Sequence, residues 1–341
     1  MDLRFDFNGL LDFNVGGQHG LTRKELDEVF PLARQAQQHL RQLSASPDDR
    51  TRFNLEWTRL PFLTEAELSR VNALASEVAG RYENVVFLGI GGSYLGLKAA
   101  QDALCPPYWN EFASARRGRP KVYFEGNNLD PTTLATLLKD LSPARTFVTV
   151  ISKSGETLET KAGFEVVRHW LKESAGENWP EQVLVVTDPV SGWLRKLVQQ
   201  SQGPGRSGLR SLPIFPGVGG RYSELNIGLF HLALVGIEPG EVLRGAAAMA
   251  ERCSSDSLWE NPALFYAAAH FLLSEKCKNI AVVMPFSEGL RSTADWYAQL
   301  LAESLGKKFA RKIVKTTEGK EEWVKDEARI VCTGRTPVAC R

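Results

Sequence analysis

Nowhere in this chain of 341 residues does an apolar run reach the roughly 18–20 positions needed to span a bilayer. The opening MDLRFDFNGLLDF carries Asp2, Arg4 and Asp6 and lacks the apolar centre of a secretory leader. A cytoplasmic location with no membrane partner is therefore expected. An excess of one charge is missing too. The chain has 41 Lys plus Arg against 40 Asp plus Glu, a net charge of +1, which gives no pull toward a nucleic acid. Cysteine is scarce and scattered. Cys105, Cys253, Cys277, Cys332 and Cys340 form no CxxC pair, so neither a zinc site nor a disulfide framework is indicated. Reduced thiols that mostly fill the core are expected instead.

What is present suits a globular α/β protein. Apolar residues make up 43% and charged residues 24%, and the length favours two domains over one core. The first 80 or so residues read as mostly helix. Thr22 is a candidate N-cap with Glu25 three residues on, followed by apolar Leu26, Val29, Phe30 and Ala33. Short apolar runs then alternate with turns and helical stretches. Asn84–Ile90, Lys121–Glu125, Phe147–Ile151 and Val183–Thr187 read as strands buried on both faces, with spacing that suits βαβ units around a parallel sheet. After a glycine-rich break at 201–208 comes a largely helical stretch from Leu225 to about Glu275. A further strand, Asn279–Pro285, opens a second α/β unit, whose helix runs from about Arg291 to Leu305 and ends at Gly306. The tail offers one short strand candidate, Ala328–Cys332.

Two turns carry chemistry. FLGIGGSYLG at Phe87–Gly96 follows a strand and enters a helix, so backbone N–H groups and the helix dipole point at an anion. It is not a dinucleotide loop, because Tyr94 stands at the third glycine of G-x-G-x-x-G. Nor is it a P-loop, because Leu97 stands where lysine is required. A purely structural βα turn is the other reading of this segment. ISKSGETLET at Ile151–Thr160 places Ser152, Ser154 and Thr157 within six residues, with Lys153 as a cation. Such a set supplies the several donors that a phosphate needs. The alternative is an ordinary helix N-cap by Thr157 or Ser154. Glu156 would turn to solvent or to the helix N-terminus.

These segments occur in order with VGGRYSELNIGL at Val218–Leu229, GNNLDP at Gly126–Pro131, VTDP at Val186–Pro189 and MPFSEGLRSTADWYAQLLAESLGK at Met284–Lys307. Together they resemble the glucose-6-phosphate isomerase (phosphoglucose isomerase) family, over nearly the whole chain. The resemblance implies a sugar-isomerase (SIS) type three-layer α/β/α fold with parallel sheets, the second unit incomplete. It divides the chain into a helical segment at 1–80, a phosphate-binding unit at 81–235 and a second unit at 236–341. It implies interconversion of glucose 6-phosphate and fructose 6-phosphate through a cis-enediol(ate), in glycolysis and gluconeogenesis, with no metal or organic cofactor and a homodimeric assembly. Residue by residue, Gly92, Ser93, Ser152, Lys153, Ser154 and Thr157 would bind substrate. Gly220 and Gln299 would bind substrate as well, Arg221 would face the reacting carbons, and Glu303, on the helix face it shares with Gln299, would be the base. One carboxylate can carry the proton between C2 and C1, and a guanidinium can stabilise the enediolate oxygen. Without the resemblance, Glu303 reads as an exposed helix residue and Arg221 as half of a surface ion pair.

The family also opens the sugar ring, with a histidine from a DQHSQ segment and a lysine from a DQWGVE-like helix. Neither segment occurs here, and the five histidines lie outside such a context. Thr333–Ala339 resembles the approach to DQHSQ before the sequence departs. A truncated or frameshifted product, with doubtful activity, weak stability and uncovered apolar surface, is the hypothesis. Resequencing that confirmed the stop, with no such segment downstream in any frame, would sink it. A non-catalytic sugar-phosphate-binding module, or an inactive fragment, is the alternative.

Overall fold

The structure is a computed structural model that describes residues 3–203, 207–218, 222, 225–306, 309–317, 319, 321–330 and 338–340. Five strands form one parallel sheet: β1 (Asn84–Leu88), β2 (Lys121–Glu125), β3 (Thr146–Ile151), β4 (Val183–Thr187) and β5 (Arg210–Pro213). Their order is β2-β1-β3-β4-β5. In register, Val85 lies between Val122 and Phe147, and Val150 lies between Leu88 and Val185. Every residue of β1, β3 and β4 is buried, as expected for strands covered on both faces.

Ten α-helices of seven residues or more are described. They are α1 (Arg23–Ala45), α2 (Glu65–Arg81), α3 (Leu95–Leu104), α4 (Pro131–Asp140), α5 (Leu158–Ala175), α6 (Trp193–Ser201), α7 (Gly228–Leu234), α8 (Pro239–Arg252), α9 (Pro262–Glu275) and α10 (Arg291–Leu305). One face of the sheet packs Val85, Phe87, Phe147 and Leu184 against Val78 of α2, Leu97 of α3 and Phe230 of α7. The other packs Val86, Val148 and Val185 against Leu138 of α4, Phe164 and Val167 of α5, and Val198 of α6. That is the three-layer α/β/α arrangement. Among the described residues, no helix is long and apolar enough to cross a membrane.

The N-terminal segment is helical, and α1 starts at the expected capping box: Thr22 Oγ1 accepts from Glu25 N–H while the Glu25 carboxylate accepts from Thr22 N–H. Leu26 and Val29 of α1 share a separate core with Phe265, Ala268 and Ala269 of α9. Phe5 and Phe7 pack on that core, with the Phe7 ring 4.2 Å from that of Phe265.

Three expectations need correction. β5 is not among the expected strands: Arg210-Ser-Leu-Pro is half-buried and polar, and it lacks the apolar run that marks the inner strands. The tail has more strand than one short candidate. β7 (Phe309–Lys315) pairs antiparallel with β8 (Glu321–Ile330), placing Lys315 opposite Glu321, and the described part of the Ala328–Cys332 candidate lies in β8. β6 (Ala281–Val283) pairs in parallel with β9 (Val338–Cys340). Of the described free cysteines, Cys105 does pack half-buried against the sheet core, but Cys253 is only half-buried and Cys277 is exposed. Cys277 terminates α9 in left-handed backbone (φ 60°), with Lys278 N–H reaching back to Leu273 O, and a helix end of that kind sits at the surface.

Candidate functional site

In an open parallel sheet, a crevice forms where neighbouring strands send their connections in opposite directions. Here the chain leaves β1 for β2 on one side and later places β3 on the other, so the crevice lies beyond the carboxyl ends of β1 and β3. Both chemistry-bearing turns start there. The glycine turn follows Leu88 and the hydroxyl-rich loop follows Ile151. Between them is a cavity of about 440 Å³ lined by Gly92, Ser93, Ser152, Lys153, Ser154 and Thr157.

The loop is held by its own hydroxyls and by β4. Ser152 Oγ accepts from Gly155 N–H at 3.1 Å and lies 3.2 Å from Thr157 Oγ1. Ser154 Oγ accepts from Glu156 N–H at 3.1 Å. From below, Thr187 Oγ1 donates to Ser152 O at 2.8 Å, and Asp188 N–H donates to Lys153 O at 3.2 Å. Thr157 occupies the N-cap position of α5, yet its side chain makes no capping bond. The first N–H groups of an 18-residue helix are thus left without a side-chain cap at the cavity. Glu156 turns outward, 3.4 Å from Lys161.

Three polar residues of the cavity are not marked as site residues by the sequence. Asp188 and Ser191 reach it from the turn after β4, and Thr160 from the first turn of α5. The Asp188 carboxyl is held below its ordinary range, chiefly by N–H donation from Val190 and Ser191 and further by the nearby Lys153 cation. The Thr160 hydroxyl is enclosed, with no hydrogen-bond partner among the described residues. The motif text VTDP contained Asp188, but only the β3–β4 pairing places it beside Lys153.

The glycine turn has a second neighbour. Gly91 adopts φ +56°, and a Cβ there would lie 3.5 Å from Gln299 Nε2 on α10. Gln299 in turn donates to Glu303 Oε2 at 3.2 Å. The segment that borders the cavity through Gly92 therefore also lies, at Gly91, beside Gln299 of the carboxamide–carboxylate pair on α10. Gly220 and Arg221 lie outside the described residues. Of the histidines, His231 is fully buried in the core and takes no part in the cavity.

The phosphoglucose isomerase profile matches residues 68–325. The chain belongs to the phosphoglucose isomerase family. It is 39% identical over 313 residues to the glucose-6-phosphate isomerase of Carboxydothermus hydrogenoformans, covering 92% of this chain and 64% of that protein. With the glucose-6-phosphate isomerase of Rubrobacter xylanophilus it shares 36% identity, over 90% of this chain and 66% of the relative. The chain thus spans just under two thirds of the length of these family members. Among solved structures, a hypothetical protein from Thermus thermophilus superposes with a TM-score of 0.72 at 31% identity, covering 93% of this chain and 66% of the other. A glucose-6-phosphate isomerase from Chlamydia trachomatis gives 0.60 at 26% identity, covering 76% of this chain and 47% of the other.

Proposed function

We propose that this site interconverts glucose 6-phosphate and fructose 6-phosphate, in the cytoplasm and without a metal or organic cofactor. The observation that carries the reading is the glycine turn, with a hydroxyl-lined anion cavity on one side and Gln299 and Glu303 on the other. In this reading the phosphate sits among Ser93, Ser152, Lys153, Ser154 and Thr157, at the uncapped start of α5. The open-chain sugar then extends from the cavity toward α10. Glu303 removes the proton from C2 of the aldose or C1 of the ketose and returns it to the other carbon. Gln299 orients that carboxylate, and Arg221 stabilises the enediolate oxygen. The units of such an enzyme would be 1–80, 81–235 and 236–341, and a homodimer would be its working form.

Fructose 6-phosphate should raise the melting temperature of the purified chain, by about 2.7 kcal/mol of stabilisation at a hundredfold excess over Kd. A coupled assay should show glucose 6-phosphate forming with wild type and lost in Glu303→Gln, which keeps the thermal shift. Equal turnover by wild type and Glu303→Gln would overturn the assignment of the base.

A further inference from the structure

Helix α10 lacks a cap of its own. It continues from a short 3-10 turn, Glu288–Leu290, which accepts the Arg291 N–H at Glu288 O, but no side chain caps the helix and its own first turn has no acidic residue. A helix start of that kind is normally relieved by a nearby carboxylate. Asp102 lies in the last turn of α3, where its charge opposes that helix's own dipole. Lys98, one turn earlier, pairs with it. Its second partner lies across the interface: Ser292 Oγ, in the first turn of α10, donates to Asp102 Oδ2. The backbone just ahead is pressed against the same place, since a Cβ at Gly289 would lie 2.9 Å from Asp102 O. Ala294, one turn into α10, is buried.

We propose that Asp102 is a positioning residue for Glu303: it holds the N-terminus of α10 through Ser292 and so fixes the carboxylate relative to the anion cavity. The inference rests on the proposed role of Glu303. Helix α3 begins directly after the glycine turn that borders the cavity, and its far end carries Asp102. It thus acts as a rod about 15 Å long, with the phosphate rim at one end and the anchor of α10 at the other. Loss of the anchor lets α10 slide or rotate while the loops after β1 and β3 stay in place. A base misplaced by about 1 Å costs on the order of a hundredfold in rate.

The test follows proton exchange at the sugar. Full-length wild type, Glu303→Gln, Asp102→Ala, Ser292→Ala and Ser292→Thr are incubated with fructose 6-phosphate in D2O. Loss of the C1 proton signal is followed by NMR, and the affinity for inorganic phosphate is measured alongside. Glu303 takes the C1 proton of open-chain fructose 6-phosphate, exchanges it with solvent and returns deuterium, so the signal reports proton abstraction without requiring turnover to glucose 6-phosphate. Asp102→Ala and Ser292→Ala should slow exchange tenfold to a hundredfold, as for a misplaced base, with phosphate affinity unchanged. Ser292→Thr, which keeps the hydroxyl, should exchange like wild type. Wild-type exchange in Asp102→Ala, or exchange and phosphate affinity falling together, would overturn the positioning role while leaving the base in place. No exchange by wild type would overturn the role of Glu303 and, with it, that of Asp102.

Discussion

His231 stands edge-on to Phe87 and Phe124, with ring centroids 5.1 and 5.5 Å away. Its Nε2 lies 2.8 Å from Gln101 Oε1, so a neutral ring that donates from Nε2 satisfies the geometry. Burial, reinforced by the Lys98 cation, pushes its pKa down from 6.5 to about 3. The unfolded chain therefore takes up a proton that the folded chain refuses, and stability falls as pH drops below 6.5. Between pH 7 and 5 this should cost about 2 kcal/mol, measured as a shift in denaturant midpoint, and His231→Gln should lose that slope. Glu25 works in a lower window. Donation from Lys276, then from Thr22 N–H, pulls its carboxyl from 4.5 to about 2. Its contribution is complete above pH 4.5 and is lost as pH falls toward 2, so Glu25→Gln should flatten only that acid limb. The capping half of this arrangement was legible in the sequence, because Thr22 and Glu25 are three residues apart. The Lys276 partner was not, since it comes from the far end of α9.

The loop after β3 depends on the turn after β4. Gly192 adopts φ +98°, and a Cβ there would lie 2.3 Å from Ser154 O. No flexible side chain is available to yield, so Gly192→Ala must displace the backbone of one loop or the other. We expect it to weaken phosphate binding at least tenfold, the loss of one or two charge-assisted hydrogen bonds, while far-UV circular dichroism stays unchanged. Calorimetric titration with inorganic phosphate would settle the matter, and wild-type affinity would refute it. The same contact explains what local pattern could and could not reveal. β1, β3 and β4 were legible as apolar runs, and the Ser152–Thr157 segment stood out for its hydroxyl density. Asp188 and Ser191 join the cavity only because β4 pairs with β3, an adjacency that no window of sequence encodes. β5, β7 and most of β8 escaped because polar and charged residues dilute their alternation. Helix α10 was legible at both ends, Arg291 and Gly306, yet its anchor on Asp102 was not.

For the whole molecule, the notable surface is around β6. Ile280, Val282, Met284 and Phe286 alternate along one face of that segment and are all exposed, Phe286 by 95%. Alternating apolar side chains on an uncovered strand face are a site of association. Sedimentation velocity across a concentration series should show self-association of the chain, and Val282→Lys with Phe286→Ser should reduce it. A monomer at all concentrations would count against the idea. A separate small core is closed by aromatic rings from far apart in the chain, Phe5 and Phe7 against Trp259 and Phe265. Translation produces residues 5 and 7 long before residue 265. The last strand of the parallel sheet ends at Pro213, so that sheet can close on the ribosome while these rings are still bare. Every residue lining the cavity between the two turns has been made by Ser191, so a nascent chain could form that cavity before its N-terminal arm has found a place to rest.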